Sequence, residues 1–294
     1  MQHAILITAY TDFLHLVDLV TGFDERFDVY IHVDRRVYLS AAARRLLEYL
    51  PGVKAVGQEY AVNWGSRAHV DAILWLCRRA LEGSPDAAYL HLVSGTDLLL
   101  KSPQAFCDFF EAHRGQNFME IFSLPTPRWH GGWMRLAWRH PLDRLDLRNE
   151  RELAVYSRYL RRQRATGKMR PLPEHPVYGG SSWWDLTREA VDYVCTHANW
   201  NGWYDRLADT FAPDEVYVQT LLMNSPLRDT LTDHLLRYID WTPRRGHSPA
   251  VLDETDLPAL LASDALFARK VDSRTSARLI DHINRHRDGA TPIL

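Results

Sequence analysis

The sequence lacks most of the motifs that declare a common chemistry. Among its 294 residues there is neither a G-x-G-x-x-G nor a G-x-x-x-x-G-K-[ST] pattern. The two backbone loops that most often cradle nucleotide phosphates are therefore missing. No H-E-x-x-H occurs, the 14 histidines are scattered, and there is no G-x-S-x-G elbow for a hydrolase nucleophile. The only cysteines, Cys77, Cys107 and Cys195, are widely spaced and odd in number, which argues against a disulfide framework or a Cys-rich zinc site. No segment approaches 18 consecutive apolar residues. The opening stretch MQHAILITAY carries neither a basic leader nor a small-residue cleavage site, so the expectation is a cytoplasmic protein. A formal net charge of −2 gives no general attraction to nucleic acid or to an anionic membrane, so phosphate recognition has to be local. Finally, no Asp-x-Asp pair occurs anywhere in the chain. That removes the usual Mg²⁺ or Mn²⁺ holder of sugar-nucleotide transferases; in a transferase of that kind, cationic side chains would have to meet the leaving diphosphate instead.

What is present is an ordinary globular balance, 46% hydrophobic and 24% charged, with ten Trp. Some of these Trp fill the core; others are candidates for stacking on sugar faces. The first hundred residues alternate between strand and helix periods. Ala4–Ala9, Phe27–Val33 and Ala88–Val93 read as buried strands, with Val53–Val56 a weaker one. Helical spacing follows at Phe13–Val20, Ser40–Leu50 and Ser66–Leu81, the last with Ser66 as a cap. This alternation predicts an α/β fold with a mostly parallel sheet and helices on both faces. In such sheets ligands bind beyond the carboxyl ends of the strands, here Thr8–Tyr10, His32–Asp34 and Ser94–Asp97. Residues 124–178 lose the pattern and read as an insertion or acceptor-side subregion, including PTPRWHGGW and a basic helix from Glu150 to Arg164. Regular structure returns with SSWWDLTREAVDYV, then PDEVYVQTLLMN as a helix with Pro at its start, LLRYIDW as a strand, and a last helix Ser276–His286. The organisation expected is a single domain, 1–287, with a nucleotide-binding half near 1–123, an acceptor half near 124–287 and a flexible tail, 288–294.

The stretches YIHVD, VNWGS, HLVSGTDLLLKS, GSSWWDLTRE, APDEVYVQTLLMNSP, RYIDW and LFARKVD fall in one order across residues 4–283. In that order the chain resembles a bacterial, cytoplasmic member of the core-2/I-branching β-1,6-N-acetylglucosaminyltransferase family, which includes the peptide O-xylosyltransferases. The resemblance implies a single GT-A-type, Rossmann-like fold and an inverting, metal-independent transfer. The donor would be a UDP-sugar (GlcNAc first, xylose or another hexose otherwise) and the acceptor a glycan or glycolipid hydroxyl. Neither a cofactor nor a nucleic-acid partner is implied, and peripheral membrane contact is compatible with it.

Residue by residue, the resemblance makes Glu215 the general base. A sugar hydroxyl has so high a pKa that a positioned carboxylate must take its proton as the new bond forms. Asp214 beside it is read as a helix cap. Lys270 matches the lysine on the diphosphate, and its apolar Phe-Ala neighbours would hold it near the core. Its arginine partner is Arg245, with Arg244 as substitute. Asp34 matches a carboxylate on the uridine portion, against the alternative of a simple strand-ending Asp. Trp64 and Gly65 line the same side, though Trp64 could equally be core. Asp97 stands close to the donor sugar or else caps a helix. On the acceptor side, Trp241 would stack on the sugar, with Glu120 and Arg128 near acceptor hydroxyls. Of the adjacent Trp183 and Trp184, one would be core and the other would face the pocket. No counterpart of the animal enzymes' signal anchor, stem or cysteine set is read here, so Golgi residence and disulfides are not expected to carry over. Two other readings stand beside this one: a catalytically silent nucleotide- or carbohydrate-binding protein, and a dinucleotide oxidoreductase, which the missing glycine fingerprint opposes.

Overall fold

Buried apolar runs make the middle of the sheet. In the computed structural model, which describes residues 1–129, 132–287 and 289, the strands are, in chain order, β1 (Gln2–Ala9), β2 (Phe27–Val33), β3 (Val53–Gly57), β4 (Ala87–Ser94), β5 (Asp97–Leu99), β6 (Asn117–Met119), β7 (Phe122–Ser123), β8 (Tyr178–Gly179), β9 (Trp184–Thr187), β10 (Leu231–Asp233), β11 (Arg237–Ile239) and β12 (Phe267–Arg269). The expected tail 288–294, apart from Gly289, lies outside the described residues, as do His130 and Gly131 of the PTPRWHGGW cluster. Seven strands form one sheet in the order β10-β6-β9-β4-β1-β2-β3. Strand β9 runs antiparallel to β4 and β6, while the other pairings are parallel.

Both faces of this sheet are covered, which is why β1 shows no polar alternation. Ala4 and Leu6 pack with Val70, Ile73, Leu74 and Cys77 of the helix Arg67–Gly83 and with Ala190, Val191 and Val194 of the helix Arg188–Thr196. Ile5 and Ile7 point the other way, into Leu16, Leu19, Phe106 and Phe110 of the helices Phe13–Thr21 and Pro103–Ala112. All three cysteines are free thiols, Cys77 and Cys107 buried. Ser66 does stand at the head of its helix, but its hydroxyl makes no capping bond. Among the described residues no helix is long and apolar enough to cross a membrane.

A second, three-stranded sheet, β11-β12-β5, was not foreseen. Each of its strands is three residues long, too short to show a period, and Asp97, the first residue of β5, reads in sequence as the last of the strand-end turn Ser94–Asp97. The expected strand LLRYIDW is reduced to Arg237–Ile239, with Leu236 left-handed at φ 55°. This small sheet is fastened to the large one by charge. Arg237 at the start of β11 pairs with Asp185 on β9, its Nη2 lying 3.1 Å from Oδ1, and both side chains are wholly buried. The guanidinium also donates to the carbonyls of Leu92 (3.0 Å) and Leu235 (2.9 Å). His91 Nδ1 meets Asp185 Oδ1 at 2.8 Å, and His3 Nδ1 meets His91 Nε2 at 2.9 Å. Burial opposes the charge on Asp185, but Arg237 and His91 outweigh it and hold the carboxyl below the usual range.

Removing one member of such a pair strands a buried charge. Arg237→Ala is expected to lower the unfolding free energy by about 3–5 kcal/mol, read from urea denaturation monitored by Trp fluorescence.

Candidate active site

At the carboxyl ends of β1 and β2 lies a cleft of about 260 Å³, lined by Ala9, Tyr10, Asp12, Phe13, Val33 and Val37 among others. Asp34 directly follows the lining residue Val33 at the end of β2 and is 4% exposed. Its carboxylate accepts from Arg36 Nη2 (2.7 Å), Arg36 N (2.9 Å) and Val62 N (3.3 Å). Burial works against ionisation there, but the Arg36 bonds prevail and its pKa is lowered. Asp34 therefore does more than end a strand: with Arg36, which also reaches Asp146 at 2.9 Å, it ties three loops together. Arg36 carries no motif and was not singled out in the sequence.

Glu215 is reached through the VNWGS loop. Gly65, at φ +76°, accepts through its carbonyl from Ala212 N at 2.9 Å, and a Cβ there would lie 3.2 Å from Leu142 Cδ1. Trp64 is 59% exposed and set edge-on to Phe211, with centroids 5.2 Å apart, so it is not core. Pro213–Glu215 is a 3-10 turn and the α-helix begins only at Tyr217, which corrects the placement of Glu215 in that helix. Asp214 caps nothing. Its side chain is aimed inward, where Ser182 Oγ (2.5 Å) and His69 Nδ1 (3.0 Å) hold it, and its pKa is lowered although burial opposes this.

Glu215 itself is partly exposed and pairs with Arg135, a cation stacked 3.7 Å from the Trp129 ring centroid. Burial first, then the Asp214 charge, push the Glu215 carboxyl up to about 6, with Arg135 pulling the other way. Glu120 adds a smaller upward push, so of the expected acceptor residues Glu120, with Arg128 paired to it, lies near the base, whereas no contact links Trp241 to them among the described residues. Arg128 Nη1 reaches Glu120 at 3.0 Å, and burial raises the Glu120 pKa against that pairing. Gly180 lies between the two glutamates: its N–H donates to the Glu215 carbonyl at 2.9 Å, and any Cβ would fall 1.9 Å from the Glu120 carbonyl oxygen.

The remaining donor-side residues come from the small sheet. Asp97 lies in β5, not at a helix start, and is 1% exposed. Arg269, its partner across the β5–β12 ladder, donates to it through Nε at 2.8 Å. The guanidinium of Arg269 sits 4.3 Å from the Trp183 ring centroid, and that ring meets His69 edge-on at 6.3 Å. Both Trp183 and Trp184 are buried, and Trp183 precedes β9 rather than alternating within it. A continuous run of contacts thus joins Asp97, Arg269, Trp183, His69 and Asp214 to Glu215. Lys270 follows Arg269. Its backbone bonds Ala250 and Leu252, and among the described residues its ammonium makes no ion pair. Burial, then Arg269, lower its pKa.

Arg244 is committed to Asp240 and Asp256, both at 3.0 Å, whereas Arg245, left-handed at φ 50° and 65% exposed, holds Asp253 at 2.8 Å. Trp241 is 63% exposed and its indole has no ring partner among the described residues. The two arginines next to the carboxylates, Arg135 and Arg269, were missed. The available signal was a cation set in an apolar run, alone in WMRLAW and beside Lys270 in LFARK.

The mostly parallel sheet with helices on both faces is the α/β, GT-A-type fold class that was expected. The family model described as "Core-2/I-Branching enzyme" matches residues 3–259, and the chain belongs to that family. A xylosyltransferase of Ciona intestinalis is 25% identical over 276 residues, covering 87% of this chain and 30% of the relative. Xylosyltransferase 2 of Rattus norvegicus is 26% identical over 293 residues, covering 92% and 32%. The chain thus spans about a third of the length of these curated relatives. Among solved structures, S. aureus TarS 1-349 in complex with UDP-GlcNAc is 12% identical with a TM-score of 0.31, covering 40% of this chain and 34% of that one, a likeness too partial to carry weight.

Direct titration of the Glu215 carboxylate by ¹³C NMR should give a midpoint near 6. In Arg135→Met the midpoint moves upward, because the opposing cation is gone.

Proposed function

We propose that this glycosyltransferase moves a sugar from a UDP-sugar to a glycan or glycolipid hydroxyl, with inversion and without a divalent metal. GlcNAc is the first candidate for the sugar, with xylose or another hexose suited to the same chemistry. The observation that carries the reading is Glu215: a partly exposed carboxylate with its pKa raised to about 6, on a 3-10 turn held by the bonds of Asp214 to Ser182 and His69 and paired with Arg135. A base poised near neutral pH is ionised in use yet still basic enough to take a proton.

In this reading the acceptor oxygen attacks the anomeric carbon from the face opposite the nucleotide and gives its proton to Glu215. The bond to the diphosphate breaks as the new one forms, and the electron pair leaves with UDP. Lys270, unpaired and half-desolvated, meets the departing charge. Arg245 assists, with Arg244 as the alternative. Preorganised cations of this kind do for a diphosphate what a metal does elsewhere, and the absence of Asp-x-Asp from the sequence supports assigning them that task. Asp34, Trp64 and Gly65 would flank the nucleoside, Asp97 would act through Arg269 near the donor sugar, and Trp241, Glu120 and Arg128 would receive the acceptor. Arg135 occupies the base in the resting site, so the acceptor hydroxyl has to share or displace that pairing.

Glu215→Gln should retain UDP affinity by calorimetry while turnover drops at least about 100-fold. Retained turnover would refute the base assignment. The pH profile follows with a definite sign: protonated Glu215 cannot accept a proton, so kcat/KM declines as pH falls through about 6 and is flat above it. Lys270→Met should weaken UDP binding about tenfold or more. EDTA should leave turnover unchanged, and loss of activity restored by Mn²⁺ would overturn the metal-independent mechanism.

A further inference from the structure

The chain is acidic by two charges overall, yet residues 150–170 hold seven Lys or Arg against two Glu. Most of this segment is the helix Glu150–Thr166, in which only Tyr156 is buried. Its inner side is well anchored. The Tyr156 hydroxyl meets His140 Nδ1 at 2.7 Å, and the Gln163 amide both donates to the Arg139 carbonyl (2.8 Å) and accepts from the Arg139 N–H (3.0 Å). At 100° per residue, Arg151, Val155, Arg158 and Arg162 fall on one outward stripe, with Arg161 beside it. Among the described residues the side chains of these four arginines make no hydrogen bond or ion pair. A solvated helix face normally mixes both signs at i and i+4; this one does not.

Apolar side chains accompany the cations: Val155 lies within the arginine stripe and is 50% exposed, and Tyr159, about 40° round the helix from Val155, is 36% exposed. The surface is also linked to the candidate site. The His140 ring lies 5.6 Å from Phe211, and Phe211 lies 5.4 Å from the Arg135 guanidinium that pairs with Glu215.

We propose that this helix face docks on an anionic lipid surface and holds the Glu120–Arg135 side of the cleft toward the membrane. Clustered arginines are drawn to anionic headgroups within a Debye length, and exposed apolar side chains between them can enter the headgroup layer. A polyanionic glycan or nucleic acid would use the charges but has no use for the exposed apolar surface of Val155 and Tyr159. The inference goes beyond the transfer reaction and is read without turnover, so either can fail alone.

The test is co-sedimentation of the full chain with phosphatidylcholine vesicles, with and without about 30% phosphatidylglycerol. The protein should pellet with the anionic vesicles only, and be released at about 0.5 M salt. Arg158→Glu with Arg162→Glu should reduce the bound fraction at least about tenfold while melting temperature and UDP binding are unchanged. Should that pair lower the melting temperature, Arg158→Gln with Arg162→Gln carries the comparison. Absence of pelleting, equal pelleting on neutral vesicles, or undiminished binding by the variant would each overturn the proposal. Retention on a heparin column without vesicle binding would overturn it in favour of a polyanionic glycan.

Discussion

The arrangement of the site depends on the buried pairing of Arg237 with Asp185. The short strands of the small sheet bury Leu99 and Phe267 with the main core and Leu98 and Ala268 in a separate apolar cluster, but hydrophobic contact has no direction of its own. A guanidinium bonded to a carboxylate and to the carbonyls of three other residues fixes both place and orientation. Such a pair is expensive to bury and adds little net stability, so its contribution here is positional. The second buried pair, Arg269 with Asp97, repeats the device across the β5–β12 ladder and brings Lys270 to the strand ends.

From there polar and aromatic contacts run without a break to the 3-10 turn. Arg269 lies over Trp183, Trp183 meets His69, and His69 holds Asp214. The adjacent carboxylates at 214 and 215 are consequently driven apart. Hydrogen bonds lower the first, while burial and the charge of the first raise the second. Separating two neighbouring acids in this way is how one becomes a structural anion and the other a group able to exchange protons near neutral pH. Arg135 limits how far the second can rise.

The charge of the molecule is equally uneven on a larger scale. A net charge of −2 conceals a single-signed helix face whose inner side is bolted to the segment carrying Arg135. Because screening limits attraction to about a Debye length, the local surface and not the total decides what the protein can adhere to.

The central strands, the helices that cover them and the family were legible from residue types alone. Fully buried parallel strands must be continuous apolar runs, and Ala4–Ala9 and Phe27–Val33 can be little else. Glu215, Lys270 and Asp34 were recognisable because they stand in motifs. The tertiary structure alone decided what touches them: Arg135 lies 80 residues from Glu215, Arg269 lies 172 from Asp97, and Ser182 lies 32 from Asp214. Periodicity reports only neighbours within an element, and three-residue strands have no period to report. An ion pair between distant segments leaves no mark in local sequence, because its energy comes from a separation that exists only once the chain has folded.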